Sequence, residues 1–236
     1  LKDLRIIERE DNRYRITKDI KEVTIPATVQ DVIMTRVDSL PEGTKGLLQT
    51  VSAVGREFSY NLIKRITGLT EQELLSHLSV LKDSELLYER GIYPQSTYIF
   101  KHALTQEVAY NSLLLKRKKE NHEKIGRAIE EIYPERLEEF YEMLAYHYSK
   151  SDDLEKAYQY LKLSGNKAMR SYSNQEAFRF YRDAISVLKQ KPETEQNKRE
   201  QIEVILLMGR PMLYLAYPED SIKFVQEGVR FCKELE

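Results

Sequence analysis

A chain of 236 residues, 41% hydrophobic and 32% charged, holds material for one or two soluble globular domains with heavily charged helix surfaces. Its 37 basic and 38 acidic residues leave a net charge of -1, which supplies no drive toward nucleic acid or anionic lipid. Cys232 has no second cysteine to pair with, no apolar run approaches the ~20 residues that cross a bilayer, and no signal peptide opens the sequence, so a reducing, cytoplasmic setting is expected.

The sequence starts at Leu1 in mid-element, so we expect an excised piece of a longer protein. Residues 4–17 predict a small β-hairpin, with Asp11-Asn12 as a turn that tolerates tight backbone geometry. Residues 1–24 are therefore assigned to the remnant of a preceding domain. Pro26, followed by Val29, Val32, Ile33, Val37 and Leu40 at helical spacing, predicts a first helix. Pro41 opens a second, carrying Leu47, Leu48, Val51 and Val54, which Gly55 closes. A short third helix is predicted over Ser59–Ile66. Thr70 and Glu73 form a capping box for a fourth, whose buried stripe is read as Leu74, Leu75, Leu78 and Leu81. Leu86–Arg90 and Thr97–Phe100 read as two strands around Gly91 and Pro94. Helix, helix, turn, helix and hairpin is the order of a winged helix, which we place at residues 25–113.

From residue 114 the pattern is helix after helix. Asp152 with Glu155, and Ser173 with Glu176, predict capping boxes. Helix starts near 116, 137, 153, 174, 197 and 219 give pairs repeating every ~37–45 residues, a period typical of tetratricopeptide (TPR) or HEAT arrays. Gly165, Ala168, Ala177, Tyr181 and Ala184 fit a tetratricopeptide unit, while the last pair, with Gly209-Arg210-Pro211 inside it, fits poorly, and Pro211 should kink or end the helix that holds it. The expected fold is thus mostly α: a winged-helix domain, then a TPR-like α-helical superhelix over residues 114–236.

Fragments that resemble catalytic motifs lack their chemistry. Gly43-Thr44-Lys45-Gly46 has a phosphate loop's residue types without the order that forms its anion cradle. His122-Glu123 could begin a zinc-protease helix, but the second histidine's place holds Gly126. His77 and His147 read as core or groove histidines beside apolar stripes. No catalysis and no metal are expected in the chain. The fourth helix would be the DNA-reading element of a winged helix, yet its outward residues Glu71, Glu73, Ser76, Ser79, Lys82, Asp83 and Glu85 would repel phosphate. Lys116-Arg117-Lys118-Lys119 reads as a solvated helix face. Ten of the 16 tyrosines fall between Tyr133 and Tyr217. Most should pack between helices, and some should line a groove for a protein or peptide, with Tyr146, His147, Tyr172 and Tyr181 as the candidates.

Three blocks carry a resemblance: Ile25-Pro26-Ala27-Thr28-Val29-Gln30-Asp31-Val32-Ile33, Val54-Gly55-Arg56-Glu57-Phe58, and Phe100-Lys101-His102-Ala103-Leu104-Thr105-Gln106-Glu107-Val108-Ala109-Tyr110. In this order they resemble the region after the ATPase domain in STAND-type signalling NTPases, especially those fused to bacterial class III adenylate/guanylate cyclase domains. The resemblance covers residues 20–190. It implies a parent that binds ATP and ADP upstream, with this chain relaying partner binding to nucleotide state. It also implies that His102, beside Lys101, senses the β-phosphate of bound nucleotide; the aspartate that commonly follows that histidine is Ala103 here. The alternatives are an arm of a DNA-binding transcriptional regulator and a plain peptide-binding scaffold.

Overall fold

Capping residues and apolar spacing set the elements of this chain one by one. In the computed structural model, residues 7–10, 13–16 and 28–235 are described. They are mostly helical, with a three-stranded sheet and a separate two-stranded hairpin. They divide into two compact units, Leu1–Leu115 and Lys116–Glu236.

In the first unit, β1 (Ile7–Glu10) and β2 (Arg13–Ile16) pair antiparallel with Glu10 opposite Arg13. The Asp11-Asn12 turn and Pro26 lie outside the described residues. Helix α1 (Val29–Asp38) starts at a capping box: Asp31 N–H donates to Thr28 Oγ1 at 3.1 Å, and Thr28 N–H donates to Asp31 Oδ2 at 3.0 Å. Helix α2 (Glu42–Ser52) follows Pro41. Ser59 caps α3 (Tyr60–Thr67), and left-handed Gly68 ends it. The predicted Thr70–Glu73 box opens α4 (Glu71–Asp83). Strands β4 (Leu87–Arg90) and β5 (Thr97–Phe100) follow as expected.

An additional strand, β3 (Glu57–Ser59), pairs with β5 to give the sheet order β3-β5-β4. At three residues it is too short to show a period, and only the inward Phe58 marks it. Phe58 packs edge-on against Phe100, at a 5.8 Å centroid separation, over a core of Leu47, Leu48, Leu74 and Leu81. Leu75 does not belong to the buried stripe of α4 and is 37% exposed. The inward positions are Leu74, Leu78 and Leu81, spaced i, i+4, i+7, and Leu75 is turned away from them by one residue's rotation. Helix α5 (Ala103–Asn111) packs on α1 and α2, and Gln106 Nε2 donates to the Ser52 carbonyl at 2.6 Å, occupying an acceptor at the end of α2.

The second unit is an all-helical succession: α6 (Leu115–Ile132), a 3-10 turn (Pro134–Phe140), α7 (Tyr141–Ser149), α8 (Leu154–Arg170), α9 (Asn174–Leu188), α10 (Glu195–Tyr214) and α11 (Ser221–Glu234). From α7 onward each helix packs on the one before it across a short connection. Two close contacts follow one design. An added Cβ on Gly126 of α6 would lie 2.7 Å from the Tyr148 ring of α7, and one on Gly165 of α8 would lie 2.4 Å from the Tyr181 ring of α9. A missing side chain on one helix thus seats a buried tyrosine ring from the next.

Three local expectations are corrected. The cap of α8 is Asp153, whose carboxylate accepts from Lys156 N–H, while Asp152 pairs with Lys119 at 2.6 Å. Ser173 stands at the cap of α9, but its hydroxyl makes no cap hydrogen bond. Helix α10 runs through buried Pro211 to Tyr214. A proline in the last turn removes a single intrahelical donor there, and the helix stops at Leu215, just before Ala216 and Tyr217 take positive φ.

Candidate interaction surfaces

The strand-to-helix junction is built by a burial switch. Phe100 ends β5 fully buried, and Lys101 N–H donates to the Leu86 carbonyl at 3.0 Å. His102 then takes extended φ/ψ of -131° and 137° as the N-cap of α5. Its ring makes no cap hydrogen bond and is exposed. The ring therefore does not tie the strand to the helix; backbone does. The Lys101 ammonium meets Glu85 at 3.0 Å and holds that carboxyl below its usual range. The first N–H groups of α5, beside an exposed imidazole, form a setting that would suit a phosphate oxygen.

The exposed face of α4 carries Glu71, Glu73, Ser76, Ser79 and Asp83, as the sequence indicated, and Glu85 is exposed just beyond the helix. Lys82 is half-buried and held by Glu89 at 2.6 Å, and Lys64 is held by Glu71 at 3.1 Å. Nearby cations are thus neutralised rather than presented. The phosphate-loop look-alike lies inside α2, where Thr44 is buried and bonds His77 Nδ1 at 2.9 Å, and Gly43 leaves room for the His77 ring.

In the second unit the four groove candidates separate. Tyr146 is 53% exposed and Tyr172 is 87% exposed, the latter at φ 58° in the turn after α8. His147 and Tyr181 are both 1% exposed. This corrects the expectation for those two, because a partner lying on the surface reaches Tyr146 and Tyr172 only. Tyr181 sits over Gly165 and donates to Asn166 Oδ1 at 2.7 Å; burial pushes its hydroxyl up to about 12. His147 Nδ1 lies 2.9 Å from His122 Nδ1, and the Tyr146 ring covers the pair edge-on. Burial lowers His122 to about 4 and His147 to about 3, so both are neutral near pH 7.

A second polar centre was not legible beforehand. Tyr148 and Tyr160 donate to the two carboxylate oxygens of Glu130 at 2.8 and 2.6 Å, and Lys156 pairs with the same group. Burial pushes the Glu130 carboxyl up, but hydrogen bonds from Lys156, Tyr160 and Tyr148 outweigh it and leave it below the usual value. These hydroxyls end on a carboxylate rather than in water. The basic run is partly spent as well: Arg117 faces Glu120 at 3.6 Å and Lys119 faces Asp152. Among the described residues no cluster of three or more metal-ligating side chains is assembled, and no helix is long and apolar enough to cross a membrane.

No protein-family model and no curated protein sequence matches the chain. Among solved structures it is similar to a Signal Transduction ATPase with Numerous Domains (STAND) protein with a tetratricopeptide repeat sensor, from Pyrococcus horikoshii. The identity is 14%, the TM-score is 0.29, and the match covers 91% of this chain. The chain spans about half (48%) of that protein's length. At that score the likeness establishes no shared fold, so a functional reading rests on the geometry above.

Proposed function

We propose that this chain is a non-catalytic regulatory and protein-interaction segment of a STAND-type signalling ATPase: a winged helix followed by tetratricopeptide-like helical pairs. The observation that carries the reading is the repeated seating of a tyrosine ring on a helix glycine, at Gly126 and again at Gly165, in an all-helical unit that packs in sequence order. Such stacking gives an extended surface suited to gripping protein. The first unit supports the winged-helix half through its order α2, β3, α3, α4, β4, β5, with the hairpin as the wing. In this reading a protein or peptide lies on the helical unit. The first unit then passes that event to an upstream domain holding ADP or ATP, and to a cyclase where the parent carries one. His102 touches the β-phosphate in the closed form, and its imidazole and the uncapped amides of α5 supply the donors.

His102→Asp in the intact ATPase tests this. Aspartate is a good N-cap, so the chain should gain about 0.5–1 kcal/mol of stability. The same carboxylate repels the β-phosphate, so basal nucleotide exchange should rise. A stabilised variant with unaltered exchange removes the sensing role and leaves a peptide-binding scaffold.

A further inference from the structure

The segment after α9, the first half of α10 and the second half of α11 border a cavity of about 190 Å³. At about 30 Å³ per water it has room for about six waters, or for a molecule of about six to eight non-hydrogen atoms. Two buried amides line it, Asn197 and Gln201, each 3% exposed. Asn197 Nδ2 donates to the carbonyls of Leu188 at 3.0 Å and Pro192 at 2.9 Å, which uses both of its hydrogens. Asn197 Oδ1 is left to accept, and it does so from Gln201 Nε2 at 3.2 Å. The chain of amides ends at Gln201 Oε1, which is buried and accepts from no donor among the described residues. A bare buried acceptor is costly and ordinarily marks a missing partner. Helix packing does not require one here: an offset of 44 residues sets Gly209 at the place of Gly165, and it sets Gln201 at the place of Ala157, which is fully buried.

The rim indicates the charge of that partner. Two of its cations are already held, Lys189 by Glu227 at 2.7 Å and Lys191 by Glu155 at 2.6 Å. Arg230 is held loosely, 3.8 Å from Glu227 and 3.7 Å from Glu234, with its guanidinium 4.9 Å from the Phe231 ring centroid. Among the rim carboxylates Glu193 is the loosely held one: it lies 3.4 Å from Lys198, an ammonium that Glu234 approaches more closely, at 2.7 Å. One cavity thus combines a cation with donors to spare, a lightly paired carboxylate and an acceptor without a donor. The complement is a molecule with a carboxylate for Arg230 and a protonated amine for Gln201 Oε1 and Glu193. We infer that the cavity binds a small free α-amino acid as its zwitterion, with its carboxylate on Arg230 and its ammonium on Gln201 Oε1. The lining comes from both sides of the α9–α10 connection and from α11, so occupancy joins the last pair to the end of α9.

Isothermal titration calorimetry of the full chain with L-alanine, L-serine and L-threonine tests this. At least one should bind with a Kd of about 10 μM–1 mM, the range open to so few atoms. Acetylating the amine of that amino acid, or converting its carboxylate to an amide, should each weaken binding at least about tenfold, because each removes one charged contact. Arg230→Gln should weaken it by a similar factor with an unchanged circular-dichroism melt, since that side chain is 60% exposed. Gln201→Leu removes the acceptor at nearly constant side-chain size and should abolish binding; if that variant does not fold, Arg230→Gln and the two derivatives still decide the matter. No binding of any of the three amino acids at about 10 mM, tenfold above that expected range, overturns the inference. So does equal binding of the free and acetylated forms, or an affinity unmoved by Arg230→Gln.

Discussion

Alanine in place of a helical glycine ordinarily stabilises, by about 1 kcal/mol, because it reduces the freedom of the unfolded chain. Gly165 should reverse that sign. The new Cβ would lie 2.4 Å from Tyr181 Cε1 and 2.7 Å from Cδ1, far inside contact distance. The ring cannot swing aside freely, since it is 1% exposed and its hydroxyl is held by Asn166. Overpacking of this kind costs about 1–3 kcal/mol, and such a close approach to a fixed ring belongs in the upper half of that range. Gly165→Ala should therefore destabilise by about 1–2 kcal/mol after the propensity gain is subtracted. Gly209 is the internal control: it sits at the matching position of the next pair, and an added Cβ would meet nothing within 4 Å. Gly209→Ala should stabilise by about 0.5–1 kcal/mol. Urea unfolding followed by circular dichroism reads both, as midpoint shifts of opposite sign at constant slope. Replacing Tyr181 by valine, the residue at the matching position of α11, should abolish most of the Gly165→Ala penalty when the two are combined. The double variant should then depart from additivity by at least about 1 kcal/mol. Equal shifts for Gly165→Ala and Gly209→Ala would refute the idea that the ring is what requires the glycine.

Acid should weaken the fold through the histidine pair. His122 and His147 are lowered by burial to about 4 and about 3, against about 6.5 in the unfolded chain, so the unfolded state takes up protons first. Stability is complete above about pH 6.5 and falls as pH drops from there toward 4, and His122→Gln combined with His147→Gln should flatten the urea midpoints across that window. Glu130→Ala strands the hydroxyls of Tyr148 and Tyr160 and the Lys156 ammonium, and should cost about 2–4 kcal/mol, with Glu130→Gln costing less, as measured by urea unfolding. In dilute solution, amide hydrogen exchange should be faster in α11 than in α8 or α9, because α11 buries only Ser221, Gly228 and Phe231.

Several features that rest on local chemistry were legible in the sequence, though not the capping boxes expected at Asp152 and Ser173. The Thr70–Glu73 box, the β5 strand and the order of helices after residue 114 each follow from a few adjacent residues. Features that depend on which side chains meet across helices were not. Nothing in the spacing of His122 and His147, 25 residues apart, says that their rings touch, nor that Glu130 accepts from two tyrosines on two other helices. The groove assignment failed at His147 and Tyr181 for a related reason. Aromatic and imidazole side chains suit both a core and a surface, and the helix face decides between them. For Tyr181 the deciding signal was available: Gly165, sixteen residues earlier in the same unit, is the space a ring needs.

The contacts that hold the helical unit together weaken from its first pair to its last. Between α6, α7 and α8, a ring is seated on Gly126, two hydroxyls and an ammonium converge on Glu130, and two histidines meet in the interior. Between α8 and α9 a ring is seated on Gly165, its hydroxyl bonded to Asn166. At the matching place in α10 and α11, Val225 is half exposed and Gly209 faces open space. In an array whose stability is a sum over neighbouring helices, α10 and α11 then hold each other less firmly than α8 and α9 do. A ligand stabilises whatever it binds by RT ln(1 + [L]/Kd), about 2.7 kcal/mol at a hundredfold excess over Kd. That amount is comparable with the cost of losing the Glu130 contacts, so a ligand held by the helical unit stabilises it by as much as one of its polar centres does.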